Sequence, residues 1–193
     1  MSWHHVIPRI VLRDCFNLLL DQHMAQDWPE ARKALRQFLS LVRREWPDLD
    51  QLLDSMRADT RPRASHTPWR PLDYVQDIMP LHAAVIWPAW NIVQGPSSRS
   101  DNPGSGIFDR FQYGLTAPQP YRMRAIEGLF PRLKDFCASG PAPNRGALAI
   151  LAEAVSNARP QVYDDRPVPF LPAMWVKENG GLWHKRGAAD PPA

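Results

Sequence analysis

Only 2 of the 193 residues are cysteine, Cys15 and Cys137, far apart in the chain. That excludes a disulfide scaffold and any zinc site built on paired cysteines. Cys15 falls in an apolar helical stripe and reads as a small buried hydrophobe. Long apolar runs are missing as well: no stretch approaches the roughly 18 residues a membrane span needs. The N-terminus lacks a basic flank followed by an apolar core, so no signal peptide is expected. There is no glycine-rich phosphate loop, no nucleophile elbow and no His-Glu-x-x-His helix. Neither sign of charge dominates, with 23 Lys and Arg against 20 Asp and Glu for a net charge of +3. A pI near 9.1 permits contact with nucleic acid without demanding it. Basic residues cluster only at Arg57, Arg61, Arg63 and Arg70, where Asp59 is the lone acid. A solvated loop is the ordinary reading of that cluster, and phosphate contact the sharper one.

What is abundant is proline, at 21 residues, and tryptophan, at 8. Prolines at that density divide a chain into short elements with defined corners. Charged residues at 22% and apolar residues at 44% suit one globular domain over 1–193, α+β and mostly α-helical. An amphipathic helix is expected from Arg9 to Gln26, with Ile10, Val11, Cys15, Leu18 and Leu19 at helical spacing. Asp27-Trp28-Pro29-Glu30 combines an Asx cap with a proline in the first turn, so a second helix runs to about Trp46. A third starts at Asp48 and carries Leu49, Leu52, Leu53 and Met56 on one face. Thr60 to Pro71 reads as a loop. The apolar run Leu81 to Val93 reads as one or two strands, with Pro88 demoting part of it to an edge. Gly95 to Gly106 is loop, and Ile107 to Gly114 a short helix. Two further helices cover Pro120–Ala138 and 144–158. Near the end, Asn179-Gly180-Gly181 lies between two Trp-containing segments and predicts a β-hairpin, because such turns need the positive φ that Asn and Gly accept.

The most informative segment is Trp3-His4-His5-Val6-Ile7-Pro8. Hydrolysing a phosphodiester near neutral pH needs an imidazole to take a proton from water, a divalent cation to neutralise charge, and donors to hold the phosphate. Adjacent strand residues face opposite ways, but an irregular strand end at Pro8 lets one imidazole turn to a metal and the other to water. Here the chain resembles the His-Me finger (HNH-type) nucleases, in particular the His-His nucleases at the C-terminal ends of bacterial polymorphic toxins. The matching residues are His4-His5-Val6-Ile7-Pro8 and, further on, Trp90-Asn91-Ile92-Val93.

The resemblance implies a small ββα-metal-like finger, with halves at 3–8 and 81–114. A long helical insertion (9–58), a helical part (119–158) and the hairpin (173–186) complete the chain. It implies a metal-dependent endonuclease acting on DNA more than RNA. His4 would be a metal ligand, His5 the catalytic general base and Asn91 the brace of the loop that carries it. The divalent metal would be Mg2+. The group usually has a further histidine ligand after the asparagine, and none occurs between Ile92 and Tyr121. Asp101, Asn102 and Asp109 are the available oxygen donors, with Asp101 favoured as the second metal ligand and Arg99 as the phosphate contact. The resemblance also implies a cognate immunity protein as partner, no membrane, and either a cytoplasmic location or delivery into a target cell within a larger secreted protein.

Read without the resemblance, the histidine pair is nearly as compatible with an exposed N-terminal strand. Asp101-Asn102-Pro103-Gly104 is at least as good a β-turn as a ligand loop. His82 and His184 suit core or hairpin positions, and His23 and His66 look exposed. The tryptophans suit packing between short elements better than base stacking. The rival reading is a non-enzymatic helical interaction or adaptor protein, which predicts an exposed apolar patch larger than a monomer normally shows.

Overall fold

The computed structural model describes residues 2–25, 28–42, 50–51, 54, 84–97, 120–140, 144–162 and 175–185. It is mostly helical. Strand β1 (Ser2–His5) pairs antiparallel with β2 (Ile92–Gly95), in a register that sets Ser2 opposite Gly95 and His5 opposite Ile92. The strand stops at His5, where Val6 and Ile7 bend the chain into Pro8. The Pro8 carbonyl then accepts from Val11 N–H at 2.9 Å and starts α1 (Arg9–Ala25). Helix α2 (Pro29–Val42) has proline at its first position, where the missing N–H costs nothing, and the Trp28 carbonyl accepts from Ala31 N–H at 3.1 Å. The expected Asp27 cap lies outside the described residues. Of the third expected helix, residues 50, 51 and 54 are helical, and the rest lies outside the described residues.

Helix α3 (Pro120–Ala138) ends at Gly140, whose φ of 78° is the left-handed conformation that closes a helix and favours glycine. Helix α4 (Arg145–Val162) is capped by the Asn144 side chain, which accepts from Ala147 N–H at 3.0 Å. This helix runs beyond the expected end at 158, through Pro160 to Val162. Pro160 is exposed and Val162 is fully buried. Burying such an aliphatic side chain contributes about 1.5–3 kcal/mol, enough to carry the last turn across one lost hydrogen bond. Strands β3 (Trp175–Lys177) and β4 (Trp183–Lys185) pair antiparallel across a turn in which Gly181 has φ of 80°. Of the residues expected to supply positive φ there, Gly181 does so and Gly180 does not.

Helices α3 and α4 pack together, α4 on α2, and α1 on both α2 and α3. Phe16, Leu19, Leu35, Phe38, Leu133, Leu148 and Val155 are buried among them. Val6, Ile7, Val85 and Trp90 join the same cluster, so the β1–β2 end is seated on the helical core. Truncating a residue such as Phe38 costs about 3–5 kcal/mol.

Two expectations are corrected. The segment Leu81 to Val93 was expected as strand, but residues 84–86 are helical, Ala89–Asn91 form a 3-10 turn, and extended pairing begins only at Ile92. Pro88 supplies the carbonyl that Asn91 N–H caps at 2.9 Å. Its fixed φ of −70° favours the turn over a ladder it cannot donate to. His23 was expected exposed and is 1% exposed, because α1 is covered on more than one face.

Candidate active site

Three backbone and side-chain bonds draw the chain after His5 onto the chain before Ile92, and a fourth closes the turn that carries Asn91. Val6 N–H donates to the Asn91 carbonyl at 2.8 Å. Ile7 N–H donates to Asn91 Oδ1 at 2.6 Å, and Asn91 Nδ2 donates back to the Ile7 carbonyl at 2.8 Å. Asn91 N–H goes to Pro88. Asn91 is 0% exposed, so its amide bonds both polar groups of one residue in a dry setting, where leaving either unpaired costs about 1–3 kcal/mol. An asparagine suits the place because it carries a donor and an acceptor side by side.

The clamp fixes the corner beside His5. His5 is 9% exposed and its Nε2 lies 2.7 Å from the Ile86 carbonyl oxygen. A carbonyl oxygen only accepts, so Nε2 carries the proton and the lone pair of the neutral imidazole sits on Nδ1. That bond sets tautomer and ring orientation together, which is what a general base needs. The Trp87 ring lies against it, with centroids 4.3 Å apart and planes tilted 51°. Trp87 is 49% exposed, so an aromatic face lies open to solvent beside the imidazole.

A residue the sequence did not single out supports this corner from behind. Arg122, from α3, is 3% exposed and donates through Nη2 to the Ala89 carbonyl at 3.1 Å and through Nε to the Trp90 carbonyl at 3.3 Å. It thereby holds the 3-10 turn that presents Asn91. No pattern near Arg122 gives this away, because its partners are main-chain oxygens more than thirty residues distant. The Trp90 indole N–H, also buried, finds no acceptor among the described residues.

Of the residues singled out by sequence, His5 and Asn91 thus meet at one corner. His4 is placed by its backbone opposite Val93, and its side chain lies outside what is described. Asp101 and Arg99 lie outside the described residues, as do His66, His82, Asn102 and Asp109. Among the described residues, no group of three or more His, Cys, Asp or Glu side chains is arranged to hold a metal. A groove between α2 and α4, lined by Glu30, Lys33, Gln37, Leu148 and Glu153, shares none of the corner's residues. Of the exposed large apolar side chains, Ile10 lies on α1, Ile150 on α4, Trp87 before the 3-10 turn and Leu182 between β3 and β4. The chain matches no protein-family model, no curated protein and no solved structure.

Proposed function

We propose that this chain is a metal-dependent endonuclease domain of the His-Me finger kind, a toxin module that hydrolyses DNA with His5 as general base. The observation that carries the reading is the pairing of two bonds. One ties His5 Nε2 to Ile86 and directs Nδ1 to the proton-accepting role; the other is the two-way amide clamp of Asn91 on Ile7. A histidine held at both ring orientation and tautomer, at a corner braced by a buried asparagine, is the arrangement general-base catalysis asks for.

In this reading His5 Nδ1 takes the proton of a water as its oxygen attacks phosphorus, and the leaving oxygen departs from the opposite side. His4 and Asp101 would hold a divalent cation, Mg2+ in the simplest case, and Arg99 would contact the phosphate. The cation supplies neutralisation of charge on the phosphate and the leaving oxygen. Asn91 and Arg122 touch no substrate and act by positioning. The finer architecture goes with this reading: β1, the corner and β2 form the two halves of a small metal finger, and the helices between them are an insertion. A toxin nuclease implies an immunity partner, which for a chain of net charge +3 is expected to be acidic. No described helix is long and apolar enough to cross a membrane.

Purified protein incubated with plasmid DNA and with RNA, across Mg2+, Mn2+, Zn2+ and chelator, tests the proposal. Metal-dependent DNA cutting that stops in EDTA is the expected result. Cutting that persists in EDTA overturns the mechanism, and cleavage of RNA alone redirects the substrate.

A further inference from the structure

We propose that Cys15 and Cys137 form a modification site, a dithiol that closes to a disulfide joining α1 to α3 by exchange with a small-molecule disulfide of the glutathione type. They are the only cysteines in the chain, both are free thiols, and the fold brings them together from distant parts of the sequence. Cys137 Sγ donates to the Val11 carbonyl at 3.8 Å, the carbonyl one helical turn before Cys15. Cys137 packs against the buried cluster that contains Cys15, and α1 packs directly on α3. The site stands on these contacts alone and is independent of the nuclease reading.

The sulfurs differ in setting. Cys15 is buried, and burial pushes its thiol well above the usual range, with Cys137 and Asp14 adding to the effect. Cys137 is half-buried. The neighbouring Cys15 thiol holds it below the ordinary value, against opposing contributions from burial and Asp14. Cys137 is therefore the attacking thiolate and Cys15 the resolving thiol.

The exchange balances in two steps. The Cys137 thiolate attacks one sulfur of the reagent, the reagent's S–S bond breaks, and one small thiolate leaves with the electron pair. Cys15 then loses its proton and attacks Cys137 Sγ, breaking the mixed disulfide and expelling the second small thiolate. The protein dithiol is oxidised, the reagent is reduced to a pair of thiols, and the two cysteine protons end on those products. The cross-link closes most of the chain into one loop, which constrains the unfolded state and raises the melting temperature. It also ties the helix that leaves the His5–Pro8 corner to α3.

The test treats the folded 193-residue chain with oxidised glutathione, then reads free thiols, intact mass and a peptide map. The wild type is expected to lose both titratable thiols and the mass of two hydrogens. Its Cys15 and Cys137 peptides become linked, it melts higher, and dithiothreitol reverses each change. Cys15→Ser is expected to stop at one glutathionyl adduct on Cys137. The proposal is overturned if the wild type keeps both thiols, retains a stable glutathionyl adduct, or links Cys137 between two copies. The wild-type mass and map decide the matter even if a variant fails to fold.

Discussion

Buried polar side chains are handled in opposite ways at two places in this protein. Around the junction of β1 and β2, Asn91 at 0% and Arg122 at 3% exposure use their polar atoms to bond main-chain groups of Ile7, Ala89 and Trp90. On α1, Gln22 is 1% exposed, yet neither atom of its amide has a hydrogen-bond partner among the described residues. Desolvating an amide without replacing its bonds costs about 1–3 kcal/mol. The junction carries its buried polarity as fixed geometry, and the helix carries it as an uncompensated cost. The difference locates where side-chain identity sets the shape of the backbone and where it does not.

Mutations at the two places should separate accordingly. Asn91→Ala leaves the Ile7 N–H and carbonyl unpaired in the interior, and is expected to lower stability by about 2–6 kcal/mol, summing two such orphaned groups. Urea unfolding measures it, and a loss under about 1 kcal/mol would mean the clamp is not formed. Arg122→Met keeps the length of the side chain and removes its donors. It should cost about 1–3 kcal/mol through the carbonyls of Ala89 and Trp90, with a larger fall in any cleavage rate than in substrate binding. Gln22→Met is expected to move the other way and gain about 1 kcal/mol, since it deletes an unpaired amide at nearly constant volume. A destabilised Gln22→Met variant would break the contrast.

The smallest effect concerns the thiols. Because Cys137 is held below the ordinary thiol value, its thiolate persists at lower pH. Native-state iodoacetamide labelling at Cys137 should therefore reach half-maximal rate below the pH of a free thiol. Cys15, shifted upward and buried, should label only after unfolding. Mass spectrometry across a pH series reads both.

Much of the helical frame was legible because its signals are local. Periodic apolar residues and the Trp28-Pro29-Glu30 start mark α1 and α2, and Asn179-Gly180-Gly181 marks the turn between β3 and β4. The segment before Ile92 was misread because Val85, Ile86 and Trp87 favour strands by composition. In the fold, helical backbone at 84–86 and 89–91 instead seats Val85 and Trp90 in the core. Tertiary packing outweighs propensity there. The pair His5 and Asn91 was visible only through short motifs, and Arg122 was invisible because main-chain acceptors leave no trace in side-chain patterns. Cys15 and Cys137 each looked unremarkable alone, since only packing of α1 on α3 makes them neighbours.

If His5 is the general base proposed for the corner that Asn91 holds, the most direct measurement is the DNA-cleavage rate of His5→Ala against wild type and Gln22→Met at equal folded fraction. The expected result is a loss of about 100- to 10,000-fold for His5→Ala, with Gln22→Met cutting as well as wild type. Undiminished cutting by folded His5→Ala would contradict the account.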